Sequence, residues 1–160
     1  MATVPPPRPV FIYGSLRALP LLAWVLTGDY SNINAVAKFT HPARVNGYAR
    51  FALHRCDYLA TIKHESSEVD GLLVRVETKS QRQKVHDFEG EIYKAMPVNV
   101  ILEGRTTVDA DMYVWNGDAE KVSDKPWELQ DFINERLEDW LDLFDGIELV
   151  GDDDEMLADG

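Results

Sequence analysis

The sequence predicts an α+β fold with a largely antiparallel, barrel-like sheet. Short β-rich segments dominate the middle of the chain, helical patterns lie between and after them, and there is no internal repeat. The chain has 160 residues, of which 45% are hydrophobic and 10% aromatic. A chain of that length buries roughly 70% of the surface that it exposes when unfolded. These features predict one globular domain and exclude collagen-like, coiled-coil and wholly disordered chains.

A strand, a tight turn and a helix are predicted at the start of the domain. Val10–Tyr13 is β-branched and aromatic, and Gly14-Ser15 ends it at once. The helix that follows has Pro20 in its first turn and apolar residues on more than one side. Gly28 stands where a left-handed residue commonly ends a helix, so we expect the helix to stop there.

Five strands are predicted in the next part of the chain. Four of them are short and are separated by Pro42, Asn46-Gly47 and Cys56-Asp57, and the fifth is longer. Their predicted limits are Ala35–Phe39, Ala43–Val45, Tyr48–Leu53, Tyr58–Ile62 and Val69–Glu77. Asn46-Gly47 is typical of a two-residue hairpin turn.

A second helix is predicted after the last of these strands. Thr78 and Gln81 have the spacing of a capping box, which marks a helix start. The helix is expected to run to Phe88 and to end near Glu89-Gly90, because glycine readily takes a positive φ.

A hairpin and a long helix complete the domain. Ile92–Leu102 and Thr106–Trp115 are both β-rich and are joined by three residues, so they should pair in antiparallel fashion. From Trp127 to Phe144, apolar residues recur three and four positions apart. This spacing predicts one amphipathic helix, with Asp124 as its N-cap.

The composition divides the chain into three parts. Residues 1–9 are rich in proline and predict a flexible arm. Residues 10–144 carry the predicted domain, and residues 145–160 contain seven acidic and no basic residues. A tail of that kind is expected to be solvated and disordered.

Charge and hydropathy exclude several classes of partner. The 28 acidic and 16 basic residues give a net charge of −12, which repels the phosphate backbone of nucleic acids. The longest apolar run, Leu19–Leu26, is too short to span a bilayer. The N-terminus lacks the pattern of a secretory signal, and the single cysteine, Cys56, cannot form an internal disulfide. We therefore expect a cytoplasmic protein with neither a membrane nor a nucleic-acid partner, in an oligomeric state that the sequence leaves open.

Common cofactor and metal motifs are missing. The four histidines and Cys56 show none of the close pairings of zinc sites. There is no glycine-rich nucleotide loop and no Gly-x-Ser-x-Gly nucleophile elbow. We expect no metal and no cofactor.

The turn after the first strand is one candidate binding site. A tight turn that leads into a helix exposes backbone N–H groups beside the positive end of the helix dipole, which suits a carboxylate. Because many strand–turn–helix junctions contain Gly-Ser, a purely structural turn is the alternative. The residues concerned are Tyr13, Gly14, Ser15, Leu16, Arg17 and Ala18.

The end of the second predicted helix is the other candidate. Glu89 is flanked by Phe88 and Tyr93, and aromatic neighbours reduce the hydration of a carboxylate. Poor hydration raises the pKa of a carboxyl group and makes it usable as a base near neutrality. The alternative is a solvated carboxylate at a helix end.

Five segments follow the order and spacing of a known family. The strongest pairing is Tyr-Gly-Ser-Leu, from Tyr13, with Phe-Glu-Gly-x-x-Tyr about 70 residues later. Over about residues 10 to 144 the chain resembles the gamma-glutamylcyclotransferase-like superfamily, and more narrowly its avirulence-induced-gene branch. The segments are Val10–Leu16, Asn46–Leu53, Val69–Leu73, Phe88–Tyr93 and Ala110–Trp115.

This resemblance implies a fold, an activity and a set of residues. The fold is a mixed β-barrel with flanking helices, and the activity cyclises a γ-glutamyl group to 5-oxoproline with release of an amine or amino acid. Residues 13–18 would bind the α-carboxylate of the substrate through backbone N–H groups. Glu89 would be the catalytic base, and Tyr93 and Tyr113 would line the cavity. No metal or cofactor takes part.

The chain departs from the family pattern at two places. Val85-His86 stands where Leu-Asp is frequent, and Leu59 replaces a common proline. These changes leave Glu89 in place but leave open which γ-glutamyl compound fits. A non-catalytic member that senses a small molecule or binds proteins is the rival interpretation, since a fold does not fix a function.

Overall fold

Five strands form a closed barrel in the computed structural model of the chain, which describes residues 7–53, 59–89, 93–117, 119–123, 125 and 127–144. The strands are β1 (Val10–Ile12), β2 (Thr40–Ala52), β3 (Leu59–Val74), β4 (Tyr93–Leu102) and β5 (Thr107–Trp115). The helices are α1 (Leu19–Thr27), α2 (Ile33–Ala37), α3 (Lys79–Glu89), α4 (Leu129–Glu135) and α5 (Leu137–Phe144). Short 3-10 turns lie at Ser15–Arg17, Glu103–Arg105 and Ala119–Lys121.

The barrel is closed by the short strand β1. The strand order is β1-β3-β2-β4-β5, and β1 pairs antiparallel with β3 and parallel with β5. The other pairs are antiparallel, so the expected mixed, largely antiparallel barrel with flanking helices is confirmed. At Gly71 a Cβ atom would lie 2.1 Å from the carbonyl oxygen of Ile12, so this close approach of β3 to β1 requires glycine.

The hairpin turn predicted at Asn46-Gly47 is wrong. The two strands predicted on either side of it are parts of the single strand β2, and Pro42 lies inside that strand as well. Asn46 pairs with Glu68 and Tyr48 with Lys63, so residues 64–67 of β3 bulge opposite Gly47. Gly47 has a φ of +87°, a conformation that serves a bulge as well as a turn.

The long strand β3 joins two predicted strands. Its first part corresponds to Tyr58–Ile62, of which Tyr58 lies outside the described residues together with Cys56-Asp57. Its last part corresponds to Val69–Glu77 but ends at Val74. Continuous pairing with β2 on both sides of the bulge holds the two parts in one strand.

The strand predicted over Ala35–Phe39 is also wrong, because Ile33–Ala37 forms the short helix α2. Val36 is the one β-branched residue within the predicted strand, whereas its neighbours Ala35 and Ala37 favour helix. Val36 is fully buried, and α2 packs against α1.

The ends of α1 and the start of α3 agree with their predicted signals. Pro20 lies in the first turn of α1, and Gly28 ends the helix with a φ of +79°, its N–H donating to the carbonyl of Trp24 over 2.8 Å. At α3, the Gln81 N–H donates to the Thr78 hydroxyl at 3.1 Å, and the Gln81 side chain accepts from the Glu77 N–H at 2.8 Å. The predicted α3 therefore forms and ends at Glu89; Gly90 lies outside the described residues.

The single helix predicted from Trp127 to Phe144 is two helices, α4 and α5, separated by Arg136 at φ −126°. Eight residues apart in an unbroken helix, Phe132 and Trp140 would be offset by about 12 Å along the axis. Instead their ring centroids lie 4.8 Å apart, edge to face. The break therefore allows both aromatic rings to pack together. Asp124, the predicted N-cap, lies outside the described residues.

The predicted hairpin near the end of the barrel is confirmed, with β4 pairing β5 from Tyr93 to Ile101; Ile92 lies outside the described residues.

Helix α1 buries Leu21–Leu26 and packs against α3 as well as α2, which explains its apolar residues on more than one side. None of the described helices has the length and apolar character that a bilayer crossing requires. Most of the predicted arm and the whole predicted tail, residues 1–6 and 145–160, lie outside the described residues.

Candidate functional site

The loop between β1 and α1 begins at a buried tyrosine and continues as one turn of 3-10 helix. The Arg17 N–H donates to the Gly14 carbonyl at 3.0 Å, and the Ala18 N–H donates to the Ser15 carbonyl at 2.9 Å. The first N–H groups of such a turn have no acceptor within it. The side chains of Leu16 and Ala18 are in the core, so these two residues can offer a ligand only backbone groups. A Cβ on Gly14 would lie 2.7 Å from Cδ2 of Leu59, so a larger residue here would have to displace the end of that side chain.

Glu89 is the last residue of α3 and is partly buried. Burial raises the pKa of its carboxyl group from 4.5 to about 8, and the nearby Arg82 guanidinium opposes this increase. Arg82 lies seven residues earlier, which is two helical turns, so both side chains project from the same face of α3. This carboxyl group therefore exchanges its proton near neutral pH.

Tyr13 and Tyr113 lie close enough to Glu89 for its charge to act on both phenols. The Tyr13 hydroxyl donates a hydrogen bond to the backbone carbonyl of Tyr113. Burial raises the pKa of Tyr13 well above its ordinary value, and the negative charge of Glu89 raises it further. The same two causes raise the pKa of Tyr113, although the Arg82 guanidinium opposes them. Both phenols thus stay protonated around Glu89 at neutral pH.

The hydroxyl of Tyr113 connects β5 to α3. It accepts a hydrogen bond from Nη1 of Arg82 at 2.5 Å and lies 2.9 Å from Nδ1 of His86. Arg82 also pairs through Nη2 with Asp111 at 3.0 Å, and Asp111 pairs with Arg8 at the same distance. His86 is one of the residues at which the chain departs from the family pattern, and here it contacts a predicted site residue. These contacts fix the orientation of α3, and hence of Glu89, relative to the barrel.

Tyr93 completes the group of predicted site residues. Its hydroxyl donates to the Leu59 carbonyl at 2.5 Å, and its ring meets Trp115 edge to face at 5.7 Å. Its charge also contributes to the raised pKa of Tyr13, so the two phenols are neighbours. The structure therefore brings together Tyr13 from the loop after β1, Glu89 from α3, Tyr93 from β4 and Tyr113 from β5.

Sequence reasoning identified Arg17 in the loop but missed the two charged residues beside it, Arg50 and Asp70. Arg17 and Arg50 both approach Asp70, with Nη2 of Arg50 2.9 Å and Nη1 of Arg17 4.0 Å from its carboxylate oxygens. Arg17 also lies over the ring of Trp127, 6.0 Å from its centroid. Arg50 and Asp70 lie within the family segments Asn46–Leu53 and Val69–Leu73, but their contact depends on how β2 and β3 pair, for which no local pattern is a signal.

The chemistry of this site is that of acids and hydrogen-bond donors. A carboxyl group that titrates near 8 can remove and return a proton, and the phenols and guanidinium groups can hold a polar ligand. Over the part of the chain that the structure describes, no three His, Cys, Asp or Glu side chains are grouped in a way that could hold a metal ion.

Comparisons with known proteins give a family and related structures. The family described as "Gamma-glutamyl cyclotransferase, AIG2-like" matches residues 10–134. Protein AIG2 C of Arabidopsis thaliana is 23% identical over 138 residues, which are 84% of this chain and 78% of that protein.

Two solution structures from Arabidopsis thaliana resemble the fold. The structure of At3g28950.1 has a TM-score of 0.60 at 23% identity, and the match covers 90% of this chain and 83% of the At3g28950.1 chain. That of At5g39720.1 has a TM-score of 0.58 at 20% identity and covers 86% and 87%. At these identities the likeness shows a shared fold.

Proposed function

The chain belongs to the gamma-glutamyl cyclotransferase, AIG2-like family, and we propose that it is an enzyme of this kind, which cyclises a γ-glutamyl amine or γ-glutamyl amino acid to 5-oxoproline. The observation that carries the proposal is the position of Glu89. A single carboxyl group with a pKa of about 8 lies among the phenols of Tyr13 and Tyr113, close to a loop suited to a carboxylate. This reaction needs one group that both takes and gives a proton.

The loop after β1 holds the glutamyl end of the substrate. In the proposed complex, free N–H groups at the start of the Ser15–Arg17 turn bind the α-carboxylate. The α-ammonium group then faces Glu89. Because an adjacent positive charge favours the ionised form of a carboxyl group, substrate binding lowers the pKa of Glu89 and prepares it to act as a base.

Glu89 removes a proton from the α-ammonium group, which gives the nitrogen a free electron pair. The nitrogen attacks the γ-carbonyl carbon, and the new C–N bond closes a five-membered ring. The protonated Glu89 then gives its proton to the departing nitrogen as the original amide C–N bond breaks. The ring nitrogen then still carries one hydrogen more than the lactam N–H, and Glu89 takes this second proton and passes it to the released amine. Atoms and charge balance without water, because the amine leaves as an ammonium group, the lactam is neutral and Glu89 is ionised again.

Positioning supplies much of the remaining acceleration. The chain of the substrate must fold so that its nitrogen and carbonyl carbon come within about 3 to 3.5 Å. The hydroxyl of Tyr13 is held by a hydrogen bond to β5 and that of Tyr93 by a hydrogen bond to Leu59, which restrains both rings. Restrained side chains favour one folded conformation of the substrate.

A non-catalytic sensor for a small molecule is the second candidate. With a pKa of about 8, Glu89 carries its proton in about nine of ten molecules at pH 7 when no ligand is bound. A neutral carboxyl group can donate a hydrogen bond to a bound molecule without reacting. Binding of γ-glutamyl compounds without turnover would support this candidate.

The test is to incubate the purified protein with a panel of γ-glutamyl amines and amino acids and to measure 5-oxoproline by mass spectrometry. Glu89→Gln keeps the size of the side chain but removes the proton acceptor, and should reduce turnover by about 10² to 10⁴. Asp87→Asn is the matched control: it changes another acid on α3, two residues away, and should retain turnover. Product formation by Glu89→Gln at a near-normal rate would show that another group is the base. If no compound yields product, the enzyme proposal is wrong.

A further inference from the structure

Two arginine side chains are buried next to the loop after β1. The side chains of Arg17 and Arg50 are only 11% and 15% exposed, whereas the carboxylate that they share, Asp70, is 82% exposed. Arginine rarely loses its hydration unless a charged partner replaces the water. One carboxylate directed largely toward solvent is a poor replacement for two guanidinium groups.

The hydrogen bonds of the two guanidinium groups are incomplete. Arg50 uses Nη2 for the carboxylate and the backbone carbonyl of Asp70, and Arg17 donates from Nε to the Gly14 carbonyl at 3.3 Å. Nη2 of Arg17 and Nε of Arg50 are buried and have no hydrogen-bond partner among the described residues. A buried donor on a cation that remains unpaired is strongly unfavourable, so both atoms are available to an incoming acceptor.

The charges around the pair leave a positive excess. Burial, together with the like charge of Arg50, lowers the pKa of Arg17 to about 10, although the charges of Asp70 and Glu128 oppose this change. Among the described residues, Asp70 is the acid in contact with either guanidinium group. An additional anion here would relieve the repulsion between the two arginines.

The pair lies next to the proposed reaction site. Arg17 is the last residue of the 3-10 turn in the loop. The charge of Arg50 acts on the Tyr13 phenol, and so does the charge of Glu89. Glu89 and the arginine pair therefore both neighbour Tyr13, and a ligand held at the loop can reach both.

We propose that Arg17 and Arg50 form an anion-binding subsite that takes a carboxylate group of the ligand. Guanidinium groups match a carboxylate in shape as well as charge, because their N–H groups form parallel pairs of hydrogen bonds. Asp70 occupies part of this subsite and competes with the ligand. The choice of ligand rests on the proposed function, but the binding of a carboxylate does not.

The carboxylate has two possible sources in a γ-glutamyl compound. It is either the α-carboxylate of the glutamyl group or the carboxylate of the amino acid that is released. The product 5-oxoproline and its carboxamide differ only at the α-carboxylate of the glutamyl group. γ-Glutamylglycine and γ-glutamylmethylamine differ only at the carboxylate of the released amino acid. Comparing affinities within each pair, by isothermal titration calorimetry, identifies the source.

Four variants test the subsite. Arg17→Gln and Arg50→Gln should each weaken binding of the compound that carries the recognised carboxylate by about tenfold or more. Binding of the matching compound that lacks this carboxylate should hardly change. Arg44→Gln is the matched control, since it removes an arginine from an exposed part of β2 and should change neither affinity. Asp70→Asn should have the opposite effect and strengthen binding of the charged member, because the competing carboxylate is gone.

The Asp70 variant also separates binding from folding. If the arginine variants were unstable, Asp70→Asn would still decide the question, because its side chain is exposed. Equal affinities within both pairs, or weaker binding by Asp70→Asn, would overturn the subsite. Tight binding of a charged compound that depends on both arginines, without any 5-oxoproline formed, would support the subsite and contradict the enzyme. Formation of 5-oxoproline at a rate that neither arginine variant changes would support the enzyme and contradict the subsite.

Discussion

Replacing Glu89 by glutamine should stabilise the protein, and should do so more strongly as the pH rises. Burial raises the pKa of this carboxyl group from 4.5 to about 8 in the folded protein. Below pH 4.5 the group is protonated in both the folded and the unfolded chain, so it has no effect on stability. As the pH rises toward 8 the unfolded chain loses this proton while the folded protein keeps it, and stability falls.

The size of the effect follows from these two pKa values. At roughly 1.4 kcal/mol per pH unit, the full loss above pH 8 is about 5 kcal/mol. Because Glu89 is only partly buried, water screens part of this energy. We expect Glu89→Gln to gain about 2 to 3 kcal/mol over the wild type between pH 5 and pH 9. Glutamine does not titrate, so a difference in the free energy of unfolding that grows with pH reports the ionisation of Glu89 in the wild type.

Urea unfolding at pH 5, 7 and 9, followed by tryptophan fluorescence, measures this gain directly. Glu103→Gln is the control: Glu103 is exposed in the turn between β4 and β5, and its replacement should change stability by less than about 0.5 kcal/mol at each pH. A stability difference between wild type and Glu89→Gln that does not grow with pH would refute the burial of this carboxyl group. The reaction scheme would then lose its physical basis.

Two further predictions concern the helices and the loop. Trp140→Ala should reduce the free energy of unfolding by about 3 to 5 kcal/mol, because this buried ring packs on Phe132 and Phe88; an unchanged denaturant midpoint would place that face of α5 in solvent. Ser15→Pro should damage ligand binding more than it damages the fold. It removes a backbone N–H that the ligand needs, but at the first position of a turn, where proline is tolerated, so the melting temperature should fall little. Calorimetry of Ser15→Ala, which keeps that N–H, should show the milder effect; equal losses would make the hydroxyl the contact.

Local signals in the sequence predicted those features whose cause is local. Gly28 ends α1 and Thr78 starts α3, because a left-handed residue and a capping side chain act within a few positions of the chain. Asn46-Gly47 shows the limit of such signals. Gly47 does have a positive φ, which a hairpin turn and a bulge can both use, and only pairing with β3 decides between them.

Long-range contacts explain what could not be predicted. The helical spacing of apolar residues continues across Arg136, so nothing in it reveals the break that brings Phe132 against Trp140. In the site, Glu89 follows from a motif, whereas Arg50 and Asp70 meet only because β2 and β3 place them there.

The raised pKa of Glu89 and the stability of α3 are coupled. Burial of this carboxyl group, which raises its pKa, also destabilises the folded state once the group is ionised. Contacts at both ends of α3 offset this cost. Thr78 and Gln81 cap its first turn, and Phe88, next to Glu89, packs on Trp140 of α5. Helices α4 and α5 therefore hold the end of α3 that carries Glu89 against the barrel, and loosening them should let water reach Glu89 and lower its pKa toward 4.5.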